Sequence, residues 1–248
     1  MLVNSKFTAR VFSETFARLH GRGVHPSVLY PAAALPPDRG VRSTPSPETL
    51  SRVGIATVPA DARVMLSINR FERKKGLPLA LRCLAELRSR GRAYRDVHLV
   101  LAGGYDPRLA ENVEHLEELK AEAAALGVTA AVTFVPSFSD AQKSALLAAA
   151  MFVLYTPEVR CETVDGCHVH RAADAARRCP AQNEHFGMVP LEAMAAQRAV
   201  VACASGGPME SIVEGVTGYL CPPTPAAFAD AAARLLQDPA GAPLTGQA

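Results

Sequence analysis

From residue 64 to residue 236 the chain alternates short apolar runs with longer amphipathic stretches, and this alternation restricts the fold more than any other feature. The runs are 64–68, 97–102, 131–135, 152–155 and 199–204, all rich in Val, Leu, Ile, Phe and Ala. Helical segments follow at 78–90, 108–126, 140–150, 190–197, 208–214 and 225–236. Runs apolar on every side belong to strands buried on both faces. The pattern therefore predicts an α/β domain, a Rossmann-like parallel sheet with helices on both faces. Ligands of such sheets lie beyond the carboxyl ends of the strands. The glycines and charges of this chain gather at those ends.

Other segments fall outside the alternation. Residues 1–35 carry Phe7, Val11, Phe12, Phe16 and Leu19 at helical spacing over 6–20, then a short strand at 27–30. Residues 36–60, rich in Pro, Ser and Thr, read as a linker before a domain at 61–237. The last stretch, 238–248, reads as an aberrant tail. A net charge of +2 with 6% aromatics leaves no electrostatic footprint for nucleic acid. No apolar run reaches the roughly 18–20 residues that a membrane span requires. Six cysteines without framework spacing fit a reducing compartment, with Cys83, Cys203 and Cys221 as core thiols.

The densest chemistry lies at 183–210. Glu184 and Glu192 stand eight positions apart around a Gly187-x-x-Pro190 helix start. Proline is tolerated in a first turn. Free amides there, those of Met188 and Val189 included, offer a seat for phosphate. Carboxylates cannot hold phosphate, but they accept hydrogen bonds from sugar hydroxyls. With Glu184 before the helix and Glu192 in its first turn, both face one cavity mouth. Arg70 and Lys75 follow the first strand and suit a diphosphate, although loop cations are also ordinary surface charges. Gly103 and Gly104 follow the second strand and either admit a ligand to the backbone or make a plain tight turn. Gly206 and Gly207 open a second glycine turn, in which Glu210 either belongs to the site or caps a helix. A G-x-G-x-x-G fingerprint is absent after the first strand, which argues against NAD or FAD.

The E-x7-E spacing resembles the signature of retaining glycosyltransferases with the GT-B fold. Further segments extend the resemblance: S-I-N-R-F-E-R-K-K-G, H-L-V-L-A-G-G-Y-D, E-N-V-E-H-L-E-E-L-K, V-T-F-V-P-S-F-S-D, V-L-Y-T-P and V-N-S-K-F-T-A-R-V-F. Together they are similar to the alpha-1,3/1,6-mannosyltransferases of the endoplasmic reticulum that extend dolichol-linked oligosaccharide. The resemblance implies that 61–237 is the nucleotide-sugar-binding C-terminal half of a GT-B fold and 1–35 a remnant of the N-terminal acceptor domain. It implies GDP-mannose as donor, no cofactor or metal, Man1-2GlcNAc2-PP-dolichol as acceptor, and a retaining transfer on the cytosolic face of the membrane. Contact with that membrane would run through parts missing here. Glu184 takes the donor-sugar role, Glu192 the ribose role, and Arg70 and Lys75 the diphosphate role. His185 and Phe186 complete the turn; His185 bonds the sugar or is structural. The base pocket is expected near 134–138. A non-catalytic nucleotide-binding fragment or partner subunit is the alternative, and a UDP-sugar donor a more distant one.

Residues 159–182 interrupt this resemblance. In the family, Tyr-Thr-Pro runs into Asn-Glu-His-Phe-Gly after a single residue; here 24 extra residues, 159–182, intervene. Translated intron sequence fits, because every valine codon begins GT, glutamine can be encoded CAG, and the segment runs from Val159 to Gln182. A regulatory loop is the second reading. A metal site of Cys161, Cys167, His168, His170 and Cys179 is the third, at a spacing that matches no standard zinc pattern. The segment is expected to be disordered, since it has little apolar surface to offset the entropy of ordering.

Overall fold

The structure, a computed structural model, describes residues 1–33, 45–157 and 186–237. The insertion at 159–182, Glu184, His185 and the tail at 238–248 lie outside the described residues.

Six parallel strands form the main sheet in the order β5-β4-β3-β6-β7-β8. They are β3 (Arg63–Ile68), β4 (Val97–Gly103), β5 (Val132–Pro136), β6 (Ala150–Tyr155), β7 (Ala199–Cys203) and β8 (Gly218–Cys221). The chain first builds outward from β3 to β5, then returns to the other side of β3 and builds outward again. The strand order therefore reverses between β3 and β6, which makes a crevice above their carboxyl ends. β8 escapes the sequence pattern because it is a four-residue edge strand opening on glycine.

Alternate strand residues point to opposite faces, and each face is covered. On one face Met65, Leu99, Leu101, Phe152 and Val201 pack under α4 (Pro78–Ser89), α5 (Ala110–Ala125) and α9 (Pro225–Gln237). Leu81, Leu84 and Leu87 of α4 are fully buried there, each worth about 2 kcal/mol of apolar transfer. On the other face Val64, Leu66, Val100, Val153 and Val200 pack under α6 (Asp140–Ala149) and α7 (Met188–Ala195). Cys83, Cys203 and Cys221 are buried in the core, as expected. Burial pushes the Cys221 thiol up to about 11, so it stays protonated and inert.

Part of the expected linker is not a spacer. A short helix, α3 (Glu48–Arg52), places Leu50 fully inside the second core, and Ile55 and Val58 follow it. Gln142 on α6 donates from Nε2 to the Val53 carbonyl at 3.0 Å. Polar composition hid these three apolar anchors.

Helix ends follow local chemistry. Ser139 and Gln142 form a reciprocal capping box at the start of α6. α7 ends in a Schellman pattern, with the Arg198 amide donating to the Ala193 carbonyl at 2.8 Å. Its left-handed position is Gln197, at φ 58°, where glycine is usual. The buried Arg198 guanidinium then donates to the Leu147 and Ala148 carbonyls at 3.0 and 3.1 Å, closing the end of α6.

A small unit precedes the sheet. β1 (Leu2–Val3) pairs in parallel with β2 (Ser27–Val28). Between them, α1 (Lys6–Thr15) and α2 (Ala17–His20) replace the single expected helix, because Phe16 leaves helical geometry at φ −110°, ψ 46°. Among the described residues no helix is long and apolar enough to cross a membrane.

Candidate functional site

The loops after β3, β4, β6 and β7 meet at the switch-point crevice. After β3 come Asn69 and Arg70, then a single 3-10 turn over Arg73–Lys75. Arg70, with a side chain 70% exposed, and Lys74 both pair with Glu72, at 3.2 and 2.9 Å. Burial pushes the Glu72 carboxyl up, but the bonds and charges of Lys74 and Arg70 outweigh it and leave the group below its ordinary value. Arg73 points away, to Glu114 and Glu118 of α5 at 3.1 and 2.6 Å. The loop is thus cationic at its rim, with one nearly buried acid at its base.

This loop is tied to the end of β6. The buried Thr156 hydroxyl donates to the Lys75 carbonyl at 2.7 Å. The Cys203 thiol at the end of β7 donates to the Thr156 carbonyl at 3.3 Å. Lys75 is therefore fixed at its backbone carbonyl from the ends of β6 and β7.

The glycine loop after β4 presses directly on the basic loop. A Cβ on Gly103 would lie 1.6 Å from the Asn69 carbonyl oxygen. No other residue fits, so the close approach of this glycine is to its neighbouring loop. Gly104 is looser: its Cβ would meet Arg70 Cγ at 3.4 Å. The Phe71 amide donates to the Gly104 carbonyl at 3.2 Å, joining the two loops.

On the other side, Phe186 and Gly187 lead into α7. The helix starts at Met188, two residues ahead of Pro190, so Glu192 stands just past the first turn rather than in it. The amides of Met188 and Val189 remain in the first turn, without intrahelical acceptors. The turn of Gly206 and Gly207 packs on Phe186 so tightly that a Cβ on Gly207 would lie 2.2 Å from Phe186 Cα. Phe186, Gly187, Met188, Val189, Gly206 and Gly207 therefore form one surface at the ends of β6 and β7.

Glu192 is not free. Its Oε1 pairs with Lys143 Nζ at 2.6 Å, with both side chains about three-quarters buried. Lys143 comes from α6, so the pair bridges the helices that follow β5 and β6. Sequence inspection missed Lys143, a single cation on a helix of Ala and Leu; its one signal is that it follows the capping box directly. Glu210 is a cap, but for another helix: it receives the Lys6 and Phe7 amides of α1. Tyr30, which also bonds Glu210, lays its ring against Phe186 at 5.7 Å between centroids. In the segment expected to hold the base, Phe134 packs against the first core and Phe138 against the second.

A doubly wound sheet of this order, with cations in the loop after β3 and a glycine-bounded helix start after β6, has the fold of one half of a GT-B protein. The family model for glycosyl transferases group 1 matches residues 62–238, and the chain belongs to that family. It is 44% identical over 242 residues to alpha-1,3/1,6-mannosyltransferase ALG2 of Mus musculus, covering 96% of this chain and 50% of that one. The Homo sapiens ALG2 gives 44% over 244 residues with the same coverage. The chain thus spans about half the length of the curated relatives it matches. Among solved structures, sucrose-phosphate synthase from Thermosynechococcus elongatus superposes with a TM-score of 0.71 at 23% identity, over 99% of this chain and 51% of that one. At that identity the likeness speaks for the fold alone.

Proposed function

We propose that the chain is the donor-binding half of a mannosyltransferase that moves mannose from GDP-mannose to Man1-2GlcNAc2-PP-dolichol in the assembly of N-glycan precursors, with retention at the anomeric carbon. The observation that carries this reading is the reversal of strand order between β3 and β6, which sets the basic loop of Arg70 and Lys75 after β3 and the start of α7 after β6 on its two sides. In the proposed chemistry the sugar–phosphate bond breaks and its electron pair leaves with GDP. Arg70, Lys75 and the helix amides offset the charge that builds on the diphosphate. The acceptor hydroxyl attacks from the face the phosphate leaves, and the departing phosphate takes its proton. Glu184 supports the charge developing at the anomeric carbon. Glu192, steadied by Lys143, accepts hydrogen bonds from the ribose hydroxyls. Gly104 lies on the phosphate side, and Gly103 lets its loop close against Asn69. His185 and Phe186 flank the sugar, and the Gly206–Gly207 turn backs them.

The relatives' name supports mannosyl transfer. The donor base, the dolichol-linked acceptor and a place at the cytosolic face of the endoplasmic reticulum follow from the same likeness. The acceptor would be held by the half that the relatives have and this chain does not span. Effective proximity supplies a large share of such catalysis, so transfer is expected only when that half is present. The direct test is calorimetry of the chain with GDP, GDP-mannose and UDP. Binding of the guanine ligands, weakened roughly tenfold or more by Arg70→Ala or Lys75→Ala, is the expected result. Equal affinity for UDP would refute the donor assignment, and unchanged affinity in both variants would move the diphosphate elsewhere.

A further inference from the structure

We propose that Asn112 is a positioning residue for the diphosphate end of the site, tying the basic loop after β3 and the glycine loop after β4 into one surface. The inference rests on the nucleotide-sugar reading and goes beyond it by assigning the residue that holds both loops. Asn112 lies near the start of α5 and is only 5% exposed. Its Nδ2 donates to the Phe71 carbonyl at 3.2 Å. Its Oδ1 accepts from the Asp106 amide at 3.0 Å. One amide group thus takes an acceptor from one loop and a donor from the other.

Asparagine is a poor helix former, because its side chain competes for nearby backbone groups. Here that tendency is turned to backbone outside the helix. Aspartate would keep the acceptor but set a charged oxygen against the Phe71 carbonyl in a buried place, where both would go unsatisfied. Alanine would leave both backbone groups without their partner. Only a side chain with a donor and an acceptor on one short planar group meets both loops.

The consequence falls on Arg70. Asn69, just before it, is wedged against Gly103. Phe71, just after it, is held by Asn112 and by the Gly104 carbonyl. Arg70 therefore has a pinned backbone on both sides and a side chain 70% exposed. That is a preorganised support for a cation that must meet an incoming phosphate. Glu111, the preceding residue on α5, adds a second hold: its Oε1 accepts the Arg73 amide at 3.1 Å. Two adjacent helix residues thus fix the basic loop from below, one in the core and one at the surface.

The test is calorimetry of the whole chain with GDP and with GMP. Asn112→Asp should lower GDP affinity about tenfold and GMP affinity less than about twofold, so the preference for the diphosphate collapses. A role in folding alone would lower both equally. Should Asn112→Asp fail to fold, Glu111→Ala on the exposed side of the same helix carries the test, with a smaller loss in the same ratio. An unchanged GDP-to-GMP ratio in the folded variants overturns the inference while leaving the donor reading intact. No GDP binding by the unsubstituted chain overturns both.

Discussion

Glu210 and Tyr30 are hydrogen-bonded at 2.9 Å across 180 positions of sequence. The same carboxylate receives the amides of Lys6 and Phe7 at 2.8 and 2.7 Å, while Ser5 caps the Thr8 amide. One side chain thus satisfies two first-turn amides of α1 and a phenol, and it joins the N-terminal unit to the glycine turn after β7. Glu210→Ala should release that unit without unfolding the sheet. Hydrogen exchange at Lys6 and Phe7 should accelerate by the equivalent of about 1 kcal/mol. Amides of β3 and β4 should not change. The hydrogen bond to Glu210 holds the Tyr30 phenol above its ordinary value, so the variant should also bring its titration down. A Tyr30 titration that ignored the substitution would contradict the contact.

The Lys143–Glu192 pair bridges α6 and α7. Its partial burial keeps it less screened than a surface pair. A double-mutant cycle of Lys143→Ala and Glu192→Ala, read by urea unfolding, should give a coupling of about 1 kcal/mol. Simple additivity would show that the two charges do not hold each other.

Gly103 and Gly104 look alike in sequence and should behave differently. Gly103→Ala drives a methyl group into the Asn69 carbonyl and should cost about 3 kcal/mol or prevent folding. Gly104→Ala meets only a flexible arginine stem and should cost less than about 1 kcal/mol. Equal melting temperatures for the two variants would mean that the loops part more readily than their spacing implies.

His98 is buried in β4, with Nε2 2.9 Å from the Thr133 hydroxyl. Desolvation, and then the Arg88 charge, push its pKa down to about 4. The unfolded chain titrates near 6.5, so between these values it binds more protons than the folded chain. Stability should therefore fall as pH drops from about 6.5 toward about 4, with the full contribution present above 6.5. His98→Gln should flatten that part of the melting-temperature profile. A profile of identical slope would place the histidine in water.

The sheet was legible because buried parallel strands leave continuous apolar runs, and 64–68 or 199–204 admit no other use. β8 and α3 were not, since four residues opening on glycine and one leucine in a polar stretch carry no period. The charges and glycines of the expected site fall at strand ends: Arg70 and Lys75 lie in the loop after β3, and the turns at 187 and 206–207 pack at the ends of β6 and β7. Asn112, Thr156 and Lys143 were silent, because each works through a backbone group or partner that only the folded chain brings near. Phe134 and Phe138 pack in opposite layers of the fold, with a left-handed Ser137 at φ 62° between them, an arrangement that no sequence period signals.

The central place of β3 also decides the order in which this chain can be built during synthesis. Its pairing with β4, and that of β4 with β5, completes from contiguous sequence as soon as Pro136 has emerged. The other edge of β3 must wait for β6, whose Ala150 lies beside Val64 across 86 positions. In that interval a half-sheet presents the unpaired backbone edge of β3 and, until α6 and α7 arrive, an incompletely covered face of Val64, Leu66 and Ile68. A nascent chain stalled before β6 is thus the form of this protein that most needs a chaperone.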